Sequence, residues 1–561
     1  MGFYLNSTAA YDSYRDLCKD PYFVDKSLLL TDILKAMRTT QKYICITRPR
    51  RFGKSIMANM IAAFFSRGCD ASALFQELNI VKKRKKIARE KTDMSEDTPA
   101  KLDYDYLERN LNQYPVIFIA LNELPRRCSS YEQYIDRIES MLISDFIEAY
   151  PDARIRQEDA VWDALKKIYA IYGERFIFVL DEWDFIFHRD FVADRDKKSY
   201  IDFLSNLLKD KQYVALAYMT GILPISKYSS GSELNMFAEY TMASEELYSD
   251  FFGFTEREVD DLYERYRRLQ SHPVVSREGL REWYDGYHTK AGERVYNPRS
   301  VVLSLLNNNL GNYWTSSGPY DEIYYYINHN VAAVRDDLAR MAAGIPVPAR
   351  VQEYAASSMR LTTKDEIFSA MVVYGFLSYE DGYVSIPNKE LMDKFDEVLM
   401  KEPSLGYVYR LAAESEKMLR ATLAGDEGQV AAIMKYAHDT ETPLLHYNSE
   451  SELSVLVTLV YLAARDTYRI EREDKAGIGY VDFIFYPETN RRDDGIILEL
   501  KVDHTAEEAI RQIKDRNYAL RFEGRLGEKA GYTGRILGVG LAYDKKTKEH
   551  TCRIEVLRGA L

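Results

Sequence analysis

Residues 43–65 read YICITRPRRFGKSIMANMIAAFF, and this stretch decides the fold of the amino-terminal part of the chain. Its first five residues form a short apolar run with β-branched side chains, which is typical of a buried strand, and a helical pattern begins after the loop. Within the loop, Gly53, Lys54 and Ser55 match the end of the pattern GxxxxGKS/T, and Arg48 stands in place of the first glycine. A tight loop between a strand and a helix directs backbone N–H groups at phosphate. The stretch therefore predicts a phosphate-binding loop.

The side chains of this loop have expected roles toward ATP and Mg²⁺. We expect Lys54 to reach the β- and γ-phosphates and Ser55 to ligate Mg²⁺. The arginines of the loop add affinity for anions, and one of them could stabilise the charge of a transition state. The loop residues expected to contact nucleotide are Arg48, Pro49, Arg50, Arg51, Phe52, Gly53, Lys54 and Ser55.

Three further apolar runs alternate with helical patterns. They cover residues 116–121, 176–180 and 213–220. Runs that are apolar on both faces predict the buried strands of a parallel sheet with helices on both sides. The second of these runs is followed by Asp181 and Glu182, which we expect to hold Mg²⁺ through water and to polarise the attacking water, respectively. The third ends at Thr220, which is a candidate sensor of the γ-phosphate. Thr220 and Asp181 are further expected nucleotide contacts. Lys227 is a second candidate sensor.

Two other features bear on nucleic-acid binding. The basic stretch from Val81 to Lys91 is interpreted as an exposed insertion, and a nucleic-acid contact is the alternative. Farther on, capping boxes begin two helices, and the second helix is followed by a DG turn between two short strands and by another helix. This order predicts a winged-helix-like module, which binds DNA in some proteins and only packs in others. The capping pairs are Thr255–Glu258 and Thr363–Glu366, and the turn is Asp381–Gly382.

A predicted β-hairpin near the carboxyl terminus brings charged side chains together. Its strands are Tyr480 to Tyr486 and Ile496 to Val502. Glu499 and Lys501 are two residues apart and share one face of the second strand, and Asp482 on the first strand can converge with them. A metal-dependent phosphodiesterase needs this set, with two carboxylates as Mg²⁺ ligands and a lysine that orients the water or offsets charge. The alternative interpretation is an exposed hairpin with a salt bridge.

The order of motifs along the chain resembles one bacterial family. The motifs are YFVDKS (22–27), TRPRRFGKS (47–55), VLDEWD (179–184), TGILPISK (220–227), FGFT (252–255), WYDGY (283–287) and VYNPRSV (295–301). They are similar to motifs of the AAA-ATPase-like family, whose members often carry a carboxyl-terminal PD-(D/E)XK nuclease-like domain. The resemblance covers most of the chain and implies the ATPase fold. An arginine-rich loop before FGKS is common in this family, so Arg48 agrees with the resemblance.

The resemblance also implies roles near the carboxyl terminus. The spacing Asp482–x(16)–Glu499–x–Lys501 is similar to the PD-(D/E)XK signature, and Gln512 and Tyr518 match its QI…Y portion. A further acid is expected at the start of the apolar helix before the hairpin, where Glu450 stands and Glu452 is the alternative. The expected catalytic residues are Glu182, Asp482, Glu499, Lys501 and Gln512. The expected metal ligands are Ser55, Asp181, Glu450, Asp482 and Glu499.

These features predict three domains of different fold. Residues 1–242 are expected to form an α/β P-loop ATPase domain with a parallel sheet. Residues 243–403 are expected to form a helical region with the winged-helix-like module, and residues 404–561 an α/β PD-(D/E)XK nuclease-like domain.

Composition limits the class of protein further. The net charge of −12 excludes a globally basic nucleic-acid coat. Five scattered cysteines without a CxxC pair argue against a disulfide framework or a cysteine zinc site and fit a reducing cytoplasm. No apolar run reaches the about 20 residues of a membrane span, and the amino terminus lacks the apolar region of a signal peptide. We therefore expect a cytoplasmic protein without membrane contact, and a homo-oligomer is compatible with this sequence.

The leading functional hypothesis is an enzyme that binds and hydrolyses ATP and couples this to Mg²⁺-dependent cleavage of nucleic acid. DNA is favoured over RNA as the partner, and defence or DNA processing as the role. The first alternative is a regulatory NTPase switch whose carboxyl-terminal domain is a non-cleaving binding module. The second is a scaffold that binds nucleotide and a protein partner. The segment from Thr220 to Lys227 is the expected relay between the nucleotide state and cleavage.

Overall fold

The structure of the chain is a computed structural model. It describes residues 2–37, 39–82, 108–225, 233–242, 247–314, 331–351, 361, 363–439, 450–476, 479–488, 490, 492–524 and 532–560. Residues 83–91 of the basic stretch, and the candidate sensor Lys227 with the end of the expected relay, lie outside the described residues.

The chain divides into two compact units. The first comprises Met1–Pro319, Ala349–Leu361 and Phe368–Glu390, and the second comprises Tyr320–Pro348, Thr362–Ile367 and Leu391–Leu561. The division into three domains at residues 242 and 403 stays a prediction.

Five parallel strands form the central sheet of the first unit. They are β1 (Tyr43–Thr47), β2 (Val116–Ala120), β3 (Phe176–Asp181), β4 (Val214–Gly221) and β5 (Ala238–Tyr240), in the order β2-β3-β4-β1-β5. The predicted parallel sheet is confirmed, and its first four strands agree with the predicted runs to about one residue at each end. The sequence does not predict β5, because three residues are too few for a strand pattern to be recognised.

Apolar side chains cover both faces of this sheet. Tyr43 and Cys45 belong to one core, whereas Ile44 and Ile46 belong to the other, because successive side chains of a strand point to opposite faces. The helices of this part are α1 (Ala9–Leu17), α2 (Leu29–Ala36), α3 (Lys54–Phe65), α4 (Ser72–Gln76), α5 (Tyr131–Ala149), α6 (Val161–Tyr172) and α7 (Asp194–Leu208). The first core includes side chains of α5, α6 and α7, and the second includes side chains of α1 to α4. The predicted helices on both sides of the sheet are therefore confirmed.

The carboxyl ends of β1, β3 and β4 meet at one edge of the sheet. Thr47 pairs with Gly221, and Leu180 pairs with Met219. This register places the loop after β1, the acids after β3 and Thr220 at the same edge.

A smaller antiparallel sheet follows in the first unit. It consists of β6 (Phe254–Thr255), β7 (Tyr287–His288) and β8 (Arg294–Tyr296) in the order β6-β8-β7, with helices α8 (Glu256–Leu269), α9 (Arg277–Tyr284) and α10 (Pro298–Asn307). The predicted capping box begins α8, since the Glu258 amide donates to Thr255 Oγ1 at 3.4 Å and the Thr255 amide donates to Glu258 Oε2 at 2.9 Å.

The predicted order of helix, hairpin and helix is also present. The elements of this stretch are α11 (Val331–Ala342), β9 (Val347–Pro348), α12 (Lys364–Tyr374), β10 (Ser378–Glu380), β11 (Tyr383–Ser385) and α13 (Lys389–Lys401). Asp381 and Gly382 join β10 to β11 with φ angles of 47° and 89°. Two successive positive φ angles are the geometry of a type I′ hairpin turn, which explains the DG pair. The predicted capping box of Thr363 and Glu366 is confirmed as well.

The second unit contains a mixed sheet of five strands. They are β12 (Tyr468–Ala476), β13 (Gly479–Pro487), β14 (Gly495–Val502), β15 (Ile536–Asp544) and β16 (Glu549–Arg558), and neighbours in the sheet follow chain order. The predicted hairpin is confirmed as β13 and β14, with Phe483 opposite Leu498. Only β14 and β15 run parallel, so the chain must cross over between them.

Helices complete the second unit. They are α14 (Tyr407–Ala413), α15 (Ser415–Ala424), α16 (Glu427–Asp439), α17 (Glu450–Val460), α18 (Ala506–Asp515) and α19 (Arg521–Gly524). Helix α18 lies in the crossover between β14 and β15 and contributes Ile510 and Ile513 to the core. Among all described helices, none has the length and apolar character that crossing a lipid bilayer requires.

Candidate functional sites

Lys54 is the first residue of α3 and its ammonium lies inside the loop that precedes the helix. The side chain is only 7% exposed, and its Nζ donates to the backbone carbonyls of Arg48 and Pro49, each at 2.8 Å. Burial lowers the pKa of Lys54 to about 8, and the nearby carboxylates of Asp184 and Asp181 oppose this effect. The ammonium is thus held by neutral carbonyls, which a phosphate can replace as a stronger, charged acceptor.

The backbone of the loop leaves room above the helix N-terminus. Gly53 has a φ of 88°, and a Cβ atom added there would meet nothing within 4 Å. Ser55 is exposed on the first turn of α3. The structure therefore leaves space at the N-terminus of α3, and helix N-termini present unpaired backbone N–H groups that bind phosphate in other proteins.

The arginines of the loop differ in exposure, and their contact with nucleotide stays a prediction. Arg48 is expected to contact nucleotide, but its side chain is buried: Nη1 donates to the carbonyls of Thr47 at 2.8 Å and Tyr240 at 2.7 Å, and the guanidinium lies 5.2 Å from the ring centre of Phe252. It ties the loop to the edge strand β5. Arg50 is partly exposed and Arg51 is exposed.

The acids after β3 lie next to this loop. Thr220 Oγ1 donates to Asp181 Oδ1, which joins the ends of β4 and β3. Glu182 has a φ of 54°, a conformation that non-glycine residues rarely adopt. Burial and then the charge of Asp181 raise the pKa of Glu182, while a hydrogen bond with the Asn122 side chain lowers it. A base with a raised pKa is suited to accept a proton from water near neutral pH.

Sequence reasoning missed two polar residues of this site. Asp184 is 4% exposed and accepts hydrogen bonds from the amides of Ile222 at 3.1 Å and Leu223 at 2.8 Å. It was visible in the sequence as the third acid of VLDEWD. Asn122 lies after β2, and its side chain hydrogen-bonds with Glu182, which directly follows the adjacent strand β3. Its position directly after an apolar run was the only signal that could have found it.

Residues from the later part of the first unit brace the loop. The Phe52 ring lies edge-on to the Tyr287 ring at 5.0 Å, and the Phe52 carbonyl accepts from the Gly253 amide at 3.3 Å. Tyr287 also donates through its hydroxyl to the Gly375 carbonyl at 2.8 Å. The motifs FGFT and WYDGY therefore contribute packing that holds the phosphate loop in shape.

In the second unit, Glu499 is the centre of a polar cluster on β14. It is 3% exposed, and its Oε1 accepts from Lys501 Nζ at 3.2 Å and from Gln512 Nε2 of α18. In the described part of the chain, its Oε2 has no hydrogen-bond partner. Burial, and after it the negative charge of Asp482, raise the pKa of Glu499 to about 7.

The other two predicted acids reach the same cluster. Asp482 on β13 accepts through Oδ2 from the Leu500 amide at 2.7 Å, which is a bond across the hairpin. Glu450, at the start of α17, lies 3.6 Å from Lys501 Nζ. The structure thus brings all five predicted residues of this site together around Lys501 and Glu499.

The donor set of this cluster fits a hard cation. Mg²⁺ prefers carboxylate oxygens, and a buried carboxylate oxygen without a partner is costly unless a cation or proton satisfies it. Among the described residues, however, no group of three or more histidine, cysteine or acidic side chains has the arrangement of a preformed metal site. Asp482 and Glu499 offer carboxylates from adjacent strands, and Lys501 Nζ lies 3.2 Å from Glu499 Oε1 and 3.6 Å from Glu450 Oε1, so Mg²⁺ binding by these three acids stays a prediction.

Two family models match segments that contain these two sites. Residues 9–230 match the model described as Predicted AAA-ATPase, and residues 450–548 match the model of the PD-(D/E)XK nuclease superfamily. The chain joins an AAA-ATPase-like domain to a PD-(D/E)XK nuclease-superfamily domain.

Individual relatives are more distant. The chain is 25% identical over 304 residues to the "Uncharacterized protein in vnfD 5'region" of Azotobacter chroococcum mcd 1, an alignment that covers 53% of this chain and 51% of that protein. This chain thus spans about half the length of that curated relative.

Two solved structures are similar to part of the fold. The Walker-type ATPase paby2304 of Pyrococcus abyssi is 13% identical with a TM-score of 0.35, covering 65% of this chain and 94% of that one. The ORC2 protein of Aeropyrum pernix, solved as ADPNP–ADP complexes, is 10% identical with a TM-score of 0.32, covering 67% of this chain and 94% of that one.

A glycine of the first unit tests whether contacts with the phosphate loop affect nucleotide binding. Gly375 has a φ of 83°, and a Cβ atom there would lie 2.6 Å from Pro49 Cβ in the phosphate loop. We expect Gly375→Ala to cost about 1–3 kcal/mol through backbone strain and to displace the loop as well. The rise in Tm on adding ATP and Mg²⁺ should therefore shrink strongly. Thermal unfolding with and without nucleotide measures both effects.

The matched control for this change is Gly382→Ala. Gly382 has a similar φ of 89°, but an added Cβ atom would meet nothing within 4 Å. The control should lose comparable stability and keep the full response to ATP. Equal responses to ATP in the two variants would show that the contact between Gly375 and Pro49 has no role in nucleotide binding.

The raised pKa of Glu499 predicts how the stability of the nuclease-superfamily domain depends on pH. Because the pKa of Glu499 is raised from 4.5 to about 7, the folded state binds more protons than the unfolded state between these values. Stability therefore falls as pH rises from about 4.5 to about 7, by up to about 3 kcal/mol in total. Glu499→Gln should remove this loss and unfold at a higher temperature than wild type at pH 8, but not at pH 4.

The control for the pH prediction is Glu507→Gln. Glu507 is an exposed carboxylate on the first turn of α18, so its removal takes away one charge without relieving burial. The difference in Tm between Glu507→Gln and wild type should not grow between pH 4 and pH 8. A Glu499→Gln variant with the same flat profile would contradict the buried, raised-pKa state of Glu499.

Proposed function

We propose that this protein binds and hydrolyses ATP and uses a second site for Mg²⁺-dependent cleavage of nucleic acid. The observation that carries the ATPase part is the meeting of Lys54 with Asp181 and Glu182 at one edge of the parallel sheet. Lys54 binds the phosphates, and Glu182 accepts the proton of the attacking water. Ser55 and Asp181 would hold Mg²⁺, which offsets phosphate charge when bound.

The nuclease part rests on the cluster around Glu499. Asp482 and Glu499 would hold Mg²⁺, which stabilises the developing charge on a phosphodiester when bound. The ammonium of Lys501 donates to Glu499 Oε1 at 3.2 Å, and from this position it orients water or offsets charge. Gln512 donates to Glu499 Oε1 and so fixes the direction in which the carboxylate points.

We propose DNA as the nucleic acid, in defence or DNA processing, with the two activities coupled. We propose a homo-oligomer and a reducing cytoplasm as the setting, and the five free thiols agree with the reducing compartment. The proposed coupling would start at the first part of the expected relay, where Asp184 accepts hydrogen bonds from the amides of Ile222 and Leu223 directly after β4.

One observation favours a second candidate, a nucleotide switch with a non-cleaving binding module. Asp482 already accepts from the Leu500 amide, and Lys501 is shared between Glu450 and Glu499. Such internal bonds stabilise the cluster without a metal ion and can mark a site that has lost cleavage.

The deciding experiment uses the purified full chain with labelled single-stranded and duplex DNA and RNA. Cleavage is measured with Mg²⁺ or Mn²⁺ and without nucleotide, with ADP, with ATP or with a non-hydrolysable analogue. Cleavage that varies with nucleotide supports the coupled enzyme, and equal rates in all four conditions would mean two independent activities. Nucleic-acid binding without cleavage under any condition would favour the binding module.

A further inference from the structure

Arg516 lies one helical turn beyond Gln512, at the carboxyl end of α18. Residues four apart on a helix share a face, so Arg516 follows Gln512 on the side that faces Glu499. Its Nη1 donates to the hydroxyl of Tyr518 at 3.1 Å, and Tyr518 is fully buried in the core with Ile510 and Ile513. The guanidinium is therefore attached to a rigid part of the domain, although it is itself exposed.

The charge of Arg516 is available to a ligand. Within the residues that the structure describes, no carboxylate lies within ion-pair distance of it, whereas Lys514 pairs with Glu555 at 2.5 Å and Arg535 pairs with Asp494 at 2.5 Å. The hydrogen bond to Tyr518 raises the pKa of Arg516, and the charge of Glu499 adds to this effect. The guanidinium is thus within electrostatic reach of the cluster but is not neutralised by it.

We propose that Arg516 is a phosphate-binding residue that holds the nucleic-acid strand beside Glu499 and Lys501. The inference rests on the proposed nuclease or binding function of this domain and adds to it the group that grips the sugar–phosphate chain. A guanidinium presents several N–H donors in one plane and binds phosphate oxygens in pairs, which a lysine does not. Tyr518 supplies the fixed support that keeps this plane in place.

The test compares Arg516→Gln with Lys514→Gln in the full chain. Binding of a fluorescein-labelled DNA strand is measured by fluorescence anisotropy, in buffers that contain Ca²⁺ and a series of salt concentrations. Arg516→Gln should raise the Kd about tenfold and reduce the slope of log K against log salt by about 1. Lys514→Gln removes the same charge from the same helix, but from a residue already paired with Glu555, so its Kd should stay within about twofold of wild type.

Two further variants separate charge from position. Tyr518→Phe keeps the buried ring but releases the guanidinium, so it should raise the Kd by less than Arg516→Gln and leave the salt slope unchanged. Arg516→Lys should keep the slope and recover only part of the affinity. These two variants decide the question if Arg516→Gln fails to fold in a thermal unfolding check.

Failure of the inference differs from failure of the proposed function. If wild type binds DNA and Arg516→Gln binds as well as Lys514→Gln, Arg516 has no contact with the strand. If Arg516→Gln does not fold and both Tyr518→Phe and Arg516→Lys bind like wild type, the inference is equally wrong. If wild type binds neither DNA nor RNA at low salt, the proposed function of the domain falls, and the inference falls with it.

Discussion

Replacing Lys54 with alanine is expected to abolish ATP hydrolysis by this protein, lowering kcat/KM by at least about a hundredfold. The ammonium of Lys54 lies inside the phosphate loop, and its hydrogen bonds go to two backbone carbonyls. Charge-assisted bonds to phosphate are roughly twice as strong as bonds between neutral groups, so nucleotide should draw this ammonium from the carbonyls. Alanine leaves the phosphates without that cation. Release of inorganic phosphate from ATP and Mg²⁺ measures the loss.

A lysine at the opposite end of the same strand provides the control. Lys42 immediately precedes β1, is partly buried, and donates through Nζ to the Val214 carbonyl at 2.8 Å. Lys42→Ala therefore removes a similar side chain and a similar bond far from the loop, and hydrolysis should be unchanged. If Lys54→Ala hydrolyses ATP at the wild-type rate, the loop after β1 is not the nucleotide site.

Glu182→Gln separates binding from turnover at the same site. The amide keeps the size of the side chain and its reach to Asn122, but it does not accept a proton from water. The rise in Tm with ATP and Mg²⁺ should persist while phosphate release disappears. Loss of both in Glu182→Gln would indicate a structural role for this residue, whose φ of 54° already departs from ordinary backbone.

The sequence predicts the strands of the first unit well because each is a continuous apolar run buried on both faces. Its side-chain roles are predicted less well where they depend on distant segments. Arg48 has the position of a nucleotide contact in the motif, yet its guanidinium is buried by β5 and by Phe252, which no local pattern connects to the loop. Asp184 accepts hydrogen bonds from the amides of Ile222 and Leu223 because β3 and β4 are neighbours in the sheet, and this pairing is not visible in the local sequence.

In the second unit, period-two spacing predicts correctly that Glu499 and Lys501 share a face, and they are in contact. The bond from the Leu500 amide to Asp482 was beyond prediction, because it depends on the register of β13 against β14. Arg516 lies between Gln512 on α18 and Tyr518 after it, the two residues that match the QI…Y portion of the PD-(D/E)XK signature. The proposed role of Arg516 depends on the burial of Tyr518 and the charge of Glu499, which no sequence pattern shows.

Asp482→Asn and Glu499→Gln are each expected to remove Mg²⁺-dependent cleavage of nucleic acid, lowering the rate by at least about a hundredfold. Both substitutions keep the shape of the side chain and remove the negative charge that would attract the cation. Lys501→Ala should instead lower the rate more than the apparent affinity for Mg²⁺, because its ammonium adds positive charge beside Glu499 and is no ligand. Cleavage of labelled DNA over a titration of Mg²⁺ separates the two effects.

Asp503→Asn is the control for these carboxylates. Asp503 directly follows β14, is exposed, and pairs with Lys545 at 3.1 Å, so it offers the same charge on the same segment outside the cluster. Its removal should leave cleavage unchanged. Robust cleavage by Asp482→Asn and Glu499→Gln would place the active site elsewhere. The stability of Glu499→Gln at pH 8 adds an independent test, because a variant that loses cleavage while gaining stability has not lost cleavage through unfolding.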